Sequence, residues 1–182
     1  MLKKNNSNQN TFVTHTLNPI YNEKSKILIL GSFPSRKSRE NNFYYGHPQN
    51  RFWNVISYIC FKSNNQIKEQ KLNQTSSIEE KTNLLLENNI ALWDVIYSCT
   101  ITGSSDSSIK NVTPVNIKNI FETANIKAVF TNGGLATKLY SKYLEPITKI
   151  NPIQLPSTSP ANARYSLKKL QQIWYKELSV FL

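Results

Sequence analysis

The chain has 182 residues, of which 39% are hydrophobic and 11% are aromatic. These fractions suit one folded domain with a substantial core and argue against an intrinsically disordered chain. No apolar run approaches the roughly 20 residues that cross a bilayer, and the start of the chain lacks the apolar core of a signal peptide, so we expect a cytoplasmic protein.

Basic residues outnumber acidic ones, with 22 Lys and Arg residues against 11 Asp and Glu and a net charge of +11. A positive field of this size favours a polyanionic partner such as nucleic acid. The abundance of Asn, Lys and Ile also fits an AT-rich genome, so charge alone is a weak indication. Cys60, Cys99, His15 and His47 are widely separated. Their spacing predicts no disulfide framework and no metal site, and we expect no cofactor.

Turn residues divide the chain into alternating strands and helices. We expect residues 1–11 to form a flexible N-terminus and residues 12–182 to form a single domain. Short apolar runs predict four buried strands, at about residues 27–31, 90–93, 127–131 and 150–155. Amphipathic spacing and a Ser77–Glu80 capping box predict five helices, at about residues 51–61, 77–87, 115–124, 134–143 and 166–181. Polar connections are predicted at about residues 62–76 and 97–114.

Strands that alternate with helices imply an α/β fold, with a parallel sheet covered on both faces. Ligands of such sheets bind outside the carboxyl ends of the strands. This rule selects four segments as the edge where a site forms: "GSFPS", "DVIYSCTITGSSDSS", "NGG" and "PSTSPANA". All four are rich in Gly, Pro, Ser, Thr and Asn, which offer adaptable hydrogen-bonding groups and exposed backbone N–H groups.

These segments carry no nucleotide-binding or nucleophile signature. The chain has no G-x-S-x-G elbow and no G-x-G-x-x-G run, and "GSFPSRKS" lacks the second Gly of a Walker A loop. What remains is a set of amides, hydroxyls and aromatic rings with few carboxylates. Aromatic faces stack bases, whereas hydroxyl and backbone N–H groups bind phosphate oxygens. The segments therefore favour a site for a planar base and a phosphate backbone.

Five runs carry a family resemblance, in the order "LILGSFPSRKS", "YYGHPQNRFWNVI", "ALWDVI", "GSSDSSI" and "LPSTSPANA". They resemble the hypoxanthine-DNA glycosylase family of the uracil-DNA glycosylase superfamily, over about residues 25–180. The segment "HPQNRFWNVI" and the last loop are also similar to mismatch-specific uracil-DNA glycosylases. The resemblance implies a three-layer α/β/α sandwich with a central four-stranded parallel sheet. It also implies metal-independent hydrolysis of a damaged base from double-stranded DNA.

The resemblance places a base pocket around the first loop, with one departure. Related glycosylases carry an Asp or Asn two residues after the first Gly to position water, and this chain has Phe33 there. Phe33 either stacks on a flipped base or packs in the core at a strand end. The predicted pocket residues are Gly31, Ser32, Phe33, Pro34, Tyr45, His47, Asp106 and Asn132.

Asn50 is the predicted catalytic side chain, since it matches the Asn of the family's motif. It lies at the start of a predicted helix, where water or a substrate oxygen meets both its amide and free backbone N–H groups. The alternative is that Asn50 only caps the helix. His47 either contacts a phosphate or base, or is a turn residue held by Pro48. Asn132 likewise has an alternative as a turn residue.

The last loop resembles the segment that glycosylases press into the minor groove to fill the gap left by a flipped base. Proline stiffens this loop, Ser and Thr bind flanking phosphates, and Asn162 reaches a base edge or fills space. The alternative is an ordinary loop that leads to a helix N-cap at Ser166. The predicted DNA-binding residues are Pro156, Ser157, Thr158, Ser159, Pro160, Ala161, Asn162 and Arg164.

The sequence thus predicts a monofunctional DNA glycosylase that flips out a deaminated base, with hypoxanthine as the first choice, and leaves an abasic site for base excision repair. One alternative is a mismatch-specific uracil or thymine glycosylase, and another is a non-catalytic protein that binds damaged DNA. We expect the protein to act as a monomer.

Overall fold

The computed structural model describes residues 10–63, 76–102 and 108–182. Its strands are β1 (Asn10–Thr14), β2 (Ile27–Gly31), β3 (Ile90–Asp94), β4 (Ile96–Thr102), β5 (Lys110–Pro114), β6 (Ala128–Asn132) and β7 (Pro152–Leu155). Its helices are α1 (Arg36–Glu40), α2 (Phe52–Ser63), α3 (Ile78–Glu87), α4 (Lys118–Thr123), α5 (Gly134–Tyr143), α6 (Glu145–Thr148) and α7 (Leu167–Leu178). Within these residues, no helix has the length and hydropathy needed to cross a membrane.

A four-stranded parallel sheet forms the centre, in the order β3-β2-β6-β7. Every residue of β2 is buried, which explains why this strand is a continuous apolar run rather than an alternating one. Gly31 pairs with Asp94 at one end of the sheet, and Asn132 pairs with Leu155 at the same end. The parallel sheet and its four predicted strands are confirmed, and their carboxyl ends share one edge.

Successive residues of β2 enter two separate cores, because side chains alternate across a strand. Ile27 and Ile29 pack in a core with residues of α2, α3 and α7. Leu28 and Leu30 pack in a second core with residues of α4 and α5. The result is the predicted α/β/α arrangement, in which the sheet lies between two layers of helices.

A second sheet was missed by the sequence analysis. It is antiparallel, in the order β1-β4-β5, and it replaces most of the polar connection predicted at residues 97–114. Its Ser- and Thr-rich strands resemble a loop in sequence, and β4 gains its partner β1 from the start of the chain. Because β1 begins at Asn10, the last two residues of the predicted flexible N-terminus are paired with β4.

Helix boundaries follow local capping chemistry where it exists. The Ser77–Glu80 capping box is present, and Ser166 accepts a hydrogen bond from the backbone N–H of Lys169 at the start of α7. The helix predicted at residues 115–124 is shorter in the structure, and it spans only α4. Val115 instead donates its backbone N–H to the carbonyl of Val95, 2.9 Å away, which fixes it in an extended connection.

Candidate active site

The carboxyl edge of the parallel sheet contains a cavity of ≈ 110 Å³. Its wall combines the loop after β2, the segment before α2, the ends of β3 and β6, and the loop after β7. Ten of the residues predicted from the sequence line it: Gly31, Ser32, Phe33, Pro34, Tyr45, Asn50, Asn132, Ser157, Thr158 and Ser159. The cavity therefore lies on the edge that the topological rule selected for a site.

The Asn50 side chain is held in a single orientation. Its Oδ1 accepts a hydrogen bond from the backbone N–H of Phe52, at 3.0 Å, and another from the hydroxyl of Thr158, also at 3.0 Å. Both lone-pair directions of the amide oxygen are therefore used. Asn50 thus binds the first N–H of α2, as the capping alternative proposed, and lines the cavity as well.

Thr158 links Asn50 to the end of β6. Asn132 donates from Nδ2 to the Thr158 hydroxyl at 3.0 Å and accepts the Thr158 backbone N–H on Oδ1 at 2.9 Å. The Thr158 hydroxyl then donates its only proton to Asn50, and the residue is 0% exposed. Three segments that are distant in sequence thereby form one directed chain of hydrogen bonds.

Asp94 is a cavity residue that was not among the predicted site residues, although it begins the selected segment "DVIYSCTITGSSDSS". It ends β3 and is 4% exposed, and its Oδ2 lies 3.0 Å from Nε2 of His15. The backbone N–H of Leu17 donates to Nδ1 of the same ring, so Nε2 carries the proton and donates it to Asp94. Its position, as a carboxylate at the carboxyl end of the second predicted parallel strand, is the feature of the sequence from which Asp94 could have been predicted as a site residue.

Glycine at position 31 is required by Asp94. A Cβ atom built on Gly31 would lie 2.1 Å from Oδ1 of Asp94, far inside contact distance. The carboxylate therefore rests directly against the backbone of the neighbouring strand at the base of the cavity. This close approach gives a physical reason for glycine at the end of a strand that is otherwise large and apolar.

Two tyrosines form the aromatic wall. The Tyr45 ring stacks on Phe52 with 3.8 Å between centroids and 20° between planes, and the residue as a whole is half-buried. Burial of the hydroxyl raises the pKa of Tyr45 above its ordinary value, and the negative charge of Asp94 raises it further. The same two causes, in the same order, raise the pKa of Tyr44. Both hydroxyls therefore stay protonated at neutral pH, and the Tyr44 hydroxyl donates its proton to the carbonyl of Asn18 at 2.7 Å.

The comparison with known proteins agrees with this geometry. The sequence pattern of the uracil DNA glycosylase superfamily matches residues 19–178. The chain belongs to this superfamily. Membership confirms both the resemblance noted in the sequence and the fold inferred from it.

Individual members of the superfamily are similar to this chain over most of its length. A hypoxanthine DNA glycosylase of Methanosarcina barkeri is 34% identical over 161 residues, which cover 86% of this chain and 92% of that protein. A hypoxanthine DNA glycosylase of Methanosarcina acetivorans is 31% identical over 159 residues, with 85% and 91% covered. A solution NMR structure from M. acetivorans, described as a candidate uracil DNA glycosylase, has a TM-score of 0.71 at 28% identity, covering 91% of this chain and 98% of that one.

Phe33 stands where the superfamily resemblance led us to expect a water-positioning side chain. It is 8% exposed and packs in the second core, with its ring edge-on to His15 at 6.0 Å between centroids. It also lines the cavity, so core packing and contact with a base are not exclusive alternatives. The guanidinium of Arg39 lies 5.5 Å from the centre of the ring.

Among the described residues, one predicted pocket residue, His47, is not in the cavity wall. His47 lies in the turn before α2, where its Nδ1 accepts the backbone N–H of Gln49 at 3.2 Å and its carbonyl accepts that of Asn50 at 2.9 Å. This geometry fits the turn alternative for His47. Asp106 lies outside the described residues, and so does most of the "GSSDSSI" run that contains it.

The loop after β7 presents a small apolar tip. Pro160 and Ala161 are exposed, and so is Arg164, whereas the Asn162 side chain donates to the carbonyl of Ser157 at 2.8 Å. The start of the loop is anchored at Pro156, whose carbonyl accepts Nε1–H of Trp174 at 3.0 Å. Asn162 therefore shapes the loop from within. The exposed tip has the rigid, apolar character of side chains that wedge between bases.

Within the described ranges, no group of three or more His, Cys, Asp and Glu side chains is placed to hold a metal ion. Asp94 is the one carboxylate among the described residues that line the cavity, and its described partner is His15. Absence of a metal and of a cofactor in the reaction therefore stays a prediction from the sequence and the resemblance.

Proposed function

We propose that this chain is a monofunctional DNA glycosylase that removes hypoxanthine from double-stranded DNA. The proposal is supported by superfamily membership, by two relatives named hypoxanthine DNA glycosylase, and by a cavity at the sheet edge with a fixed amide in its wall. The Asn50 amide is the main observation behind the proposal. It is an oriented polar group in the cavity wall, whereas the Phe33 side chain has no polar group that could position water.

The proposed reaction is hydrolysis of the N-glycosidic bond. The oxygen of a water molecule bonds to C1′ of the sugar while the bond from C1′ to the base nitrogen breaks. The base leaves with that electron pair and takes up a proton, the attacking water gives up one proton, and an abasic sugar with a hydroxyl on C1′ remains. Because the sugar gains positive charge as the base departs, a weak nucleophile suffices once it is correctly placed.

Asn50 suits the placing of water rather than its deprotonation. Its Oδ1 is engaged by Phe52 and Thr158, so the amide contributes to the reaction through its N–H side, as a donor to the water oxygen. An amide cannot act as a strong base in any case. The proposed catalytic gain is therefore positional, and its size depends on how rigidly the amide is held.

Asp94 supplies a proposed basis for selecting the base. Hypoxanthine presents an N–H group at N1, which a carboxylate accepts, whereas adenine presents a lone pair at the same position. Uracil also has an N–H group between two carbonyls, and it is the second candidate because one solved relative is described as a candidate uracil DNA glycosylase. Tyr45 and Asn132 line the same wall and complete the proposed pocket.

The exposed part of the last loop forms the proposed DNA contact. Its apolar tip would fill the space left by the flipped nucleotide, and Arg164, Lys168 and Lys169 are exposed beside it to bind phosphates. A DNA partner fits the cytoplasmic location expected from the sequence, with the protein on the nucleoid while it acts. We also propose that a single copy suffices for each lesion.

Duplex oligonucleotides that carry deoxyinosine, deoxyuridine or deoxyxanthosine test this function. After incubation with the protein, hot alkali converts each abasic site into a strand break. We expect breaks at deoxyinosine first. Breaks at deoxyuridine alone would favour the uracil alternative, and no breaks at any base would leave only a non-catalytic binder.

The Asn50→Ala variant tests the catalytic residue in the same assay. We expect single-turnover base release to fall by about 10²-fold or more, with binding to the same duplex largely retained, because the amide acts on water rather than on the DNA backbone. Gln49→Ala changes the exposed neighbouring side chain and is the matched control. Normal turnover in Asn50→Ala would refute the assignment.

A further inference from the structure

Arg51, the residue after Asn50, binds the last loop with its whole side chain. Its three guanidinium nitrogens donate to four backbone carbonyls across that loop. Nε donates to Thr158 at 3.3 Å, Nη2 donates to Ser159 at 2.6 Å and to Asn162 at 3.0 Å, and Nη1 donates to Tyr165. The backbone N–H of Arg51 also donates to the Thr158 carbonyl, at 3.1 Å.

Among the described ion pairs the side chain has no carboxylate partner, and its described hydrogen bonds all go to backbone carbonyls. A planar fork with five N–H donors can satisfy several carbonyls that point inward from different directions. A lysine ammonium has three donors on one atom and cannot span the same set. The loop thus curls around a guanidinium, with its carbonyls inside and its tip at Pro160 and Ala161 outside.

Arg51 also couples the loop to the Asn50 amide. The carbonyl of Thr158 accepts from Arg51, and the hydroxyl of the same residue donates to Asn50. Asn50 and Arg51 are adjacent in the chain and both precede α2. A shift of the loop therefore moves Thr158, and a shift of Thr158 weakens the bond from its hydroxyl that helps to orient the amide.

We propose that Arg51 is a positioning residue that sets the shape of the DNA-facing loop and, through Thr158, the orientation of Asn50. The proposal rests on the proposed glycosylase function. Arg51 does not touch the substrate in this role. It makes formation of the loop and alignment of the catalytic amide a single event, so that the amide is in place when the loop tip occupies the gap in the duplex.

Two substitutions separate this role from a simple contribution of charge. Arg51→Lys keeps the charge and loses the fork, and Arg51→Gln loses both. We expect both variants to release hypoxanthine about 10²-fold more slowly in single turnover, because a small misplacement of the amide suffices for such a loss. We expect backbone amide hydrogen exchange at residues 157–165 to accelerate about tenfold or more, while α7 and the parallel sheet keep their protection.

Arg36→Lys is the matched control, because Arg36 is an exposed arginine on α1 that pairs with Glu40. It should leave both base release and loop exchange as in the parent protein. Normal base release in Arg51→Lys, with only weaker DNA binding in Arg51→Gln, would overturn the proposal in favour of charge alone. Exchange that accelerates throughout α7 and the sheet, or loss of folded protein in both Arg51 variants, would overturn it in favour of general stability.

The exchange measurement needs no substrate, which keeps the two proposals distinguishable. If the parent protein released no base from any duplex, the proposed function would fail, and unchanged exchange in Arg51→Lys would still refute the role of Arg51 in the loop. If the parent released hypoxanthine and Arg51→Lys matched it, only the inference about Arg51 would fail.

Discussion

Thr158→Val is the sharpest test of the hydrogen-bonded chain behind the cavity. Valine has nearly the shape of threonine but lacks the hydroxyl, which donates to Asn50 and accepts from Asn132. Since Thr158 is 0% exposed, no water stands in for the hydroxyl at that position without a rearrangement of the loop. The substitution therefore removes two hydrogen bonds and creates almost no cavity.

The loss of stability in Thr158→Val comes from the Asn50 and Asn132 amides, each of which loses one hydrogen-bond partner. A buried polar group that loses its partner costs about 1–3 kcal/mol. Asn50 retains its bond from the Phe52 N–H, and both amides border the cavity, where water replaces part of the loss. We therefore expect the free energy of unfolding to fall by about 2 kcal/mol. Thr158→Ser keeps the hydroxyl and loses one methyl group, which costs about 1 kcal/mol.

Catalysis should separate the two variants more clearly than stability does. Without the bond from Thr158, the Asn50 amide is held less firmly, and we expect single-turnover release of hypoxanthine to fall about 10–100-fold in Thr158→Val. Thr158→Ser should remain close to the parent rate. Urea unfolding and the alkali-cleavage assay supply the two measurements. The reasoning is refuted if Thr158→Val releases base at the parent rate, or if Thr158→Ser is as slow as Thr158→Val.

The remaining predictions concern the base and the DNA backbone. Asp94→Asn keeps the size of the side chain, but its amide Oδ1 would accept from His15 and its NH₂ group would then face the N–H group of the base. Because two donors would face each other, we expect kcat/KM for deoxyinosine to fall about 10²-fold. An unchanged kcat/KM would exclude Asp94 from base recognition. Binding of the Asn50→Ala variant to a labelled duplex should weaken steeply as the salt concentration rises. Each phosphate contact contributes about −0.9 to the slope of the logarithm of the binding constant against the logarithm of the salt concentration, so contacts from Arg164, Lys168 and Lys169 alone predict a slope of about −3. A fluorescence anisotropy titration that gives a slope shallower than about −1 would contradict phosphate contacts by these three residues.

The sequence predicted those parts of the fold that are encoded locally. A strand buried on both faces is a short apolar run in the sequence, so Ile27–Gly31 and the other three strands of the parallel sheet were predicted. The antiparallel sheet was not, because Ser- and Thr-rich strands become recognisable only when a partner is known. The partner of β4 is β1, whose residue Thr14 pairs with Ser98.

The site was predicted residue by residue, but its connections were not. Asn50, Asn132 and Thr158 were each selected for chemistry and position, whereas the bonds that join them span 26 and 108 residues. His15 and Asp94 are 79 residues apart, and no motif near either residue predicts that the two are paired. Tertiary contacts of this length leave no periodicity or spacing in a single sequence, which is why the Asp94–His15 pair was found only in the structure.

The position of Phe33 explains why these long-range bonds matter. A water-positioning side chain on the loop after β2 would be fixed by its own strand, which is the most buried in the sheet. With Phe33 packed in the core instead, the proposed amide comes from the segment before α2, whose orientation depends on Thr158 and whose neighbour Arg51 binds the same loop. Under the proposed function, moving the amide to this segment makes catalysis depend on the DNA-facing loop. A substitution in that loop should then lower the rate of base release as well as the affinity for DNA.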